Sequence, residues 1–152
     1  MLITEILKRN ARTFGPRVAL VEREPAKKSR REITWSEFDS QADKVAAALV
    51  KKGVKKGDKV VQLMMNCLEW LPVYFGVLRS GAWIAPLNFR FLSKDILYCS
   101  QLSEAKAVFF GPEFIDRIDE IKSGLDKHVK HYIYAGPEDS KPDYAESLKD
   151  IL

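Results

Sequence analysis

The chain opens on an amphipathic pattern in which Ile3, Ile6, Leu7 and Ala11 recur at helical spacing before Gly15-Pro16, so a helix is predicted from Thr4 to about Thr13. Two short strand-like runs follow, Arg17 to Arg23 and Arg31 to Ile33. The polar stretch Glu24 to Ser29 separates them, which predicts an antiparallel hairpin at an edge of the fold. Thr34-Trp35-Ser36-Glu37 then reads as a capping box, the Thr34 hydroxyl accepting from the N3 amide and Glu37 reaching back to the Thr34 amide. Phe38, Ala42, Val45, Ala46 and Leu49 continue it as one buried stripe on a helix that Gly53 stops.

From Lys59 onward the pattern alternates between short apolar runs and helical stripes. Val60-Val61-Gln62-Leu63-Met64-Met65 is the near-continuous run of a strand covered on both faces. Asn66 is placed to cap the next helix, with Glu69 as its reciprocal partner, and that helix runs to Gly81. Pro72 inside it demands either a kink or a later start. Ala82 to Pro86 is a strand, Ser93 caps a helix reaching Leu102, and Lys106 to Phe110 is another strand. Glu113 to Leu125 is a helix by its Phe114, Ile115, Ile118 and Ile121 stripe, and Val129 to Tyr134 is a strand. Gly136 to Pro142 reads as loop and Tyr144 to Leu152 as a short terminal helix.

That alternation predicts an α/β fold: a doubly wound, mostly parallel sheet with helices on both faces, preceded by a short N-terminal hairpin. The expected division of residues 1–152 is an N-terminal helix and hairpin (1–33), a parallel α/β core (34–135), and a loop with a terminal helix (136–152). Ligands in such folds sit at the carboxyl ends of the strands. Here those ends are Met65-Asn66, Leu87 to Arg90, Phe110 to Pro112 and Tyr134 to Gly136.

Composition narrows the class. Over 152 residues, 46% apolar and 30% charged side chains are those of a globular domain, which excludes disordered, collagen-like and disulfide-stapled chains. The basic excess is N-terminal: residues 1–59 hold 15 basic and 8 acidic side chains. It gathers in Arg23, Lys27, Lys28, Arg30 and Arg31 and in Lys51, Lys52, Lys55, Lys56 and Lys59. Neither cluster interleaves aromatic residues for base stacking and both fall on predicted turns, so solvated loops are expected and no nucleic-acid partner. Cys67 and Cys99, without a C-x-x-C pairing, read as buried thiols of a reducing cytoplasm. His128 and His131, three apart on a predicted strand, point to opposite faces, so neither a shared metal nor a hydrolytic triad is expected. Val60 to Leu78 is long and apolar enough to suggest a membrane span. Glu69, Gln62, Asn66 and Pro72 break it, so no integral membrane segment is expected, and the N-terminus carries no signal-peptide core.

Neither G-x-G-x-x-G after a strand nor G-x-x-x-x-G-K-[ST] occurs. The best polar candidates are Asn88 and Arg90, because a guanidinium just past a strand end can clamp phosphate or carboxylate. The plainer alternative is a turn-forming Asn88 and a surface-paired Arg90. Trp35, Trp70 and Trp83 read as core or interface anchors.

The central segment says more. Thr34-Trp35-Ser36-Glu37-Phe38, the helix to Gly53, Val54-Lys55-Lys56-Gly57-Asp58-Lys59-Val60 and Asn66 to Trp70 resemble the opening of the adenylate-forming superfamily. Leu78-Arg79-Ser80-Gly81-Ala82-Trp83-Ile84-Ala85-Pro86-Leu87-Asn88 resembles its second core motif. The likeness runs over about residues 15 to 135, and Pro86-Leu87-Asn88-Phe89-Arg90 is most similar to acyl- and aryl-CoA synthetases.

The thiols and the missing targeting and membrane segments lead to the expectation of a cytoplasmic protein. The resemblance implies the N-terminal portion of an ATP-dependent carboxylic acid:CoA ligase, with ATP, Mg2+ and CoA used by the full-length enzyme and none bound tightly by this chain alone. It implies that Arg90, with Asn88, approaches a phosphate of CoA. It also places the phosphate loop, the adenylate-handling Tyr/Thr-Glu pair, the ribose-binding Asp and the catalytic Lys beyond the matched segment, so no catalytic or metal-binding residue is expected here and the chain alone should be inactive. Its implied partners are a carboxylic acid substrate and the remaining domains of the same enzyme, with a homodimer left open. The alternative is a stand-alone, non-catalytic binding or assembly module of the same fold.

Overall fold

Helix α1 (Ile3–Phe14) leads, in a computed structural model describing residues 1–152, into an antiparallel pair, β1 (Val18–Glu24) and β2 (Ser29–Thr34). After them come α2 (Trp35–Lys51), β3 (Lys59–Leu63), α3 (Trp70–Arg79), β4 (Trp83–Pro86), α4 (Ser93–Ser103), β5 (Ala107–Phe110), α5 (Ile115–Leu125), β6 (His131–Tyr134), β7 (Glu146–Ser147) and α6 (Leu148–Ile151). The second sheet is parallel throughout, in the order β4-β3-β5-β6-β7. The chain winds outward from β3 to β4, then crosses back to β5, so winding reverses beside β3.

Alternation along the strands sorts side chains to two faces. Val60, Ala107, Phe109 and Ile133 pack with Val45 and Leu49 of α2, Val73 and Val77 of α3, and Leu148 of α6. Val61, Leu63, Val108, Phe110, Tyr132 and Tyr134 pack with Ile96 of α4 and Ile118, Ile121 and Leu125 of α5. Burying each of these aliphatic or aromatic side chains stabilises the fold by roughly 1.5–3 kcal/mol, which makes the two faces its main support. A third cluster of Leu7, Ile33, Phe38, Ala42 and Leu68 fastens α1 and the hairpin to α2. The Thr34 cap forms as expected, Glu37 N–H donating to Thr34 Oγ1 at 3.2 Å and Thr34 N–H to Glu37 Oε2 at 2.7 Å.

Local details differ from the sequence expectation. Helix α3 starts at Trp70, so Asn66 caps nothing, and the carboxylate of Glu69 goes to Arg31 instead. The later start puts Pro72 in the first helical turn, where its missing N–H costs nothing. Ser93 is the first residue of α4 rather than its cap. Asp95 accepts from Leu92 N–H at 3.1 Å, and Ser93 Oγ donates to Glu120 on α5. The stretch expected as one terminal helix, Tyr144 to Leu152, is instead a turn, then β7, paired in register Ile133↔Glu146 and Tyr134↔Ser147, and only then the short α6. His128 lies in the turn after α5, so only His131 is on a strand.

Candidate functional site

Beyond the carboxyl ends of β3, β5 and β6 lies a cleft of about 870 Å³. Its floor is Met64, Met65, Gly111, Pro112, Ala135 and Gly136, the residues at which those three strands stop. Glycine suits one of these places: a Cβ on Gly136 would strike the buried Tyr134 ring. The hairpin supplies the outer wall with Glu22, Glu24, Lys27 and Arg31, and α6 the far wall with Leu148 and Lys149.

One ion network fixes the hairpin to the turn after β3. Glu22 and Arg31 face each other across β1 and β2. Arg31 Nη2 donates to both Glu22 oxygens, at 3.1 and 2.9 Å, and Nη1 donates to Glu69 Oε1 at 3.0 Å. Leu68 N–H donates to Glu22 Oε2 at 2.6 Å. Burial works to raise the Glu22 carboxyl, but the Arg31 and Leu68 donors outweigh it and hold it below the ordinary carboxylate range. The same carboxylates raise Arg31. Cys67, beside them, is pushed up to about 12 by burial and by Glu69, so it stays a thiol and cannot serve as a nucleophile at neutral pH.

Asn88 and Arg90 lie elsewhere, past the end of the edge strand β4, and do not line this cleft. Asn88 Oδ1 accepts from the Arg90 N–H at 2.9 Å, so Asn88 does form the turn. Arg90 has no carboxylate within ion-pair distance. Its guanidinium is exposed and lies 5.4 Å from the centre of the Phe89 ring. Arg117 holds this loop in place, Nη1 donating to the Phe89 carbonyl at 2.7 Å and to the Phe91 carbonyl at 3.0 Å. A free cation on a braced loop suits a phosphate.

Sequence reasoning missed two features. The Glu22–Arg31 pair had a signal, because opposite charges facing across a hairpin stabilise it. Arg117 had none, since its acceptors are carbonyls of a distant loop. No three His, Cys, Asp or Glu side chains gather to hold a metal ion. No histidine lines the cleft, His128 and His131 lying at the opposite end of the sheet.

A family model described as "AMP-binding enzyme" matches residues 7–151. Long-chain fatty acid transport protein 6 of Mus musculus is 32% identical over 120 residues, covering 78% of this chain and 19% of that protein. The 3-hydroxybenzoate/4-hydroxybenzoate CoA ligase of Thauera aromatica is 34% identical over 99 residues, covering 65% of this chain and 19% of that protein. The chain therefore spans 19% of the length of each of these two curated relatives. Among solved structures, the inhibitor-bound N-terminal domain of FACL13 from Mycobacterium tuberculosis superposes with a TM-score of 0.80. It is 27% identical, over 98% of this chain and 34% of that one. Acetoacetyl-CoA synthetase from Streptomyces lividans, 20% identical over 97% of this chain and 24% of that one, shares the fold with a TM-score of 0.88.

Proposed function

The chain belongs to the AMP-binding enzyme family, and we propose that it is the N-terminal portion of an ATP-dependent carboxylic acid:CoA ligase. The observation that carries this reading is the match over residues 7–151 together with curated relatives named as CoA ligases. In the whole protein a carboxylate oxygen attacks the α-phosphorus of ATP, releasing pyrophosphate and giving an acyl-adenylate. The CoA thiol then attacks the acyl carbon, loses its proton, and AMP leaves. Splitting the reaction replaces an oxide leaving group by AMP, a far better one.

This chain's contribution is positional. The sheet and hairpin form one wall of the cleft, and Arg90, presented by the Asn88 turn and the Arg117 brace, takes a phosphate of CoA. The chain carries no Gly-rich phosphate cradle and no cluster of three His, Cys, Asp or Glu side chains to hold Mg2+.

One observation favours the portion reading over a stand-alone module. Tyr98 and Leu102, one turn apart on the outer face of α4, are 64% and 72% exposed, and Phe89 and Leu92 just before that helix are exposed too. An apolar stripe on the outer face of a helix is the kind of surface that packs against a neighbour, here the remaining domains of the same enzyme. Reading the polypeptide on past Leu152 tests this. A Ser/Thr/Gly-rich loop ending in Lys is expected, and its absence would favour the non-catalytic module.

A further inference from the structure

The two basic clusters differ in the folded chain. In the hairpin, Lys27 pairs with Glu24, Arg30 with Glu32, and Arg31 with Glu22 and Glu69. Arg23 and Lys28 there have no carboxylate within ion-pair distance, and at the amino ends of the parallel strands Lys52 alone is paired. Lys59 stands opposite Trp83, and the next strands continue the row: Lys106 N–H donates to the Lys59 carbonyl at 2.8 Å and Lys130 N–H to the Lys106 carbonyl at 2.8 Å. Trp83, Lys59, Lys106 and Lys130 thus occupy one line across four strands spaced about 4.8 Å apart. Beside the row is a recess of about 380 Å³ lined by Lys52, Lys55, Lys106, Lys130 and His131, with Asp58 its only carboxylate.

Of the carboxylates nearby, Asp58 and Glu146 are committed, and Glu104, two residues before Lys106, is exposed and is the one negative charge left to set against the lysines. Asp58 accepts from the Lys55 N–H at 2.8 Å, and Glu146 pairs with Lys52. Lys55, Lys56, Lys106 and Lys130 have no carboxylate within ion-pair distance and are exposed. Like charges on neighbouring strands repel, so this row is costly unless something anionic covers it. Trp83, the aromatic member of the row, is 65% exposed, and the Lys59 ammonium lies 5.8 Å from the centre of its ring.

We propose that this amino end of the sheet docks on an anionic lipid surface, with Lys55, Lys56, Lys106 and Lys130 over lipid phosphates and Trp83 at headgroup depth. Clustered lysines are drawn to anionic leaflets, and Trp favours the interface because its ring is apolar and its N–H polar. Single-stranded nucleic acid is the poorer fit. It needs a row of aromatic platforms for successive bases, and the one aromatic in this row already lies beside a lysine. Docking by this end leaves the cleft at the opposite end of the sheet facing away from the bilayer.

Flotation of the 152-residue chain with vesicles tests the proposal. Capture is expected by phosphatidylcholine vesicles containing phosphatidylglycerol, not by phosphatidylcholine alone, and it should weaken as salt is raised. Lys106→Glu with Lys130→Glu should lower the affinity at least about tenfold, Trp83→Ala should lower it several-fold, and Lys149→Glu at the far end should leave it within about twofold. Circular dichroism checks each fold, and Lys55→Glu with Lys56→Glu in the solvent-exposed turn serves if the strand-edge pair unfolds. No capture by either composition, equal capture by both, or undiminished capture after charge reversal overturns it. So does tighter binding of a single-stranded oligonucleotide than of the anionic vesicles.

Discussion

Arg31 reaches from β2 to grip both oxygens of Glu22 on β1, at 3.1 and 2.9 Å, and so locks the hairpin over the turn that follows β3. The pair works as a hinge pin for the cleft wall, because Glu22 also takes the Leu68 amide and Arg31 also takes Glu69. Half of the Arg31 side chain is exposed, so solvent screens the pair. Arg31→Met is expected to cost about 1 kcal/mol in urea unfolding, the upper end for exposed pairs. A loss near zero would show that the hairpin is held by Ile33 and Leu68 packing alone.

The same pair sets an acid limb. The Glu22 carboxyl is held below its ordinary 4.5 in the folded chain, so the unfolded chain binds more protons and stability rises with pH. The contribution is fully present above about pH 5 and is lost as pH falls through the lowered folded value. Unfolding midpoints measured from pH 7 down to pH 3 should fall less steeply in Glu22→Gln than in the parent.

Arg79 is the stronger tie. Its side chain is only 10% exposed, and it joins three helices by bonding Asp39 and Asp43 of α2 and, at 3.4 Å, the Thr4 carbonyl of α1. Removing Arg79 strips the partly buried Asp39 of its cation and breaks the tie to the Asp39 and Thr4 carbonyls, so Arg79→Met is expected to cost about 2 kcal/mol, more than Arg31→Met. Equal losses for the two variants would contradict this ranking.

Gly76 marks the closest approach of α2 and α3. A Cβ there would meet Val45 Cγ1 at 2.6 Å and the Ala42 carbonyl at 2.9 Å. Because backbone must shift to accommodate it, Gly76→Ala is expected to destabilise by about 1–3 kcal/mol in thermal unfolding, despite alanine's better helix propensity. A more stable variant would mean that the helices can separate freely.

Arg90→Ala is expected to lower CoA affinity about fivefold in titration calorimetry, the worth of one exposed charge-assisted bond. Arg117→Leu should lower it by a similar factor by loosening the loop, while leaving Arg90 in place. Unchanged affinity in Arg90→Ala would return Arg90 to an ordinary surface residue.

Elements whose local signals agree were legible in the sequence: the Thr34 cap, the α2 stripe, and the apolar runs of β3 and β5, buried because both sheet faces are covered. What escaped depended on distant partners. Glu69 looked like a cap residue because the sequence does not show that Arg31 lies beside it, and β7 is only two residues long, formed by pairing to β6. For the site, the strand ends pointed to the cleft floor, but its outer wall comes from the hairpin, whose docking rests on Ile33 and Leu68 packing and on Glu22.

The central claim is that this chain is one wall of a ligase site completed by other parts of the polypeptide. Carboxylate-dependent ATP–pyrophosphate exchange by the purified 152-residue chain tests it most directly. No exchange above background is expected with aliphatic or aromatic acids, whereas sustained exchange by this chain alone would contradict the account.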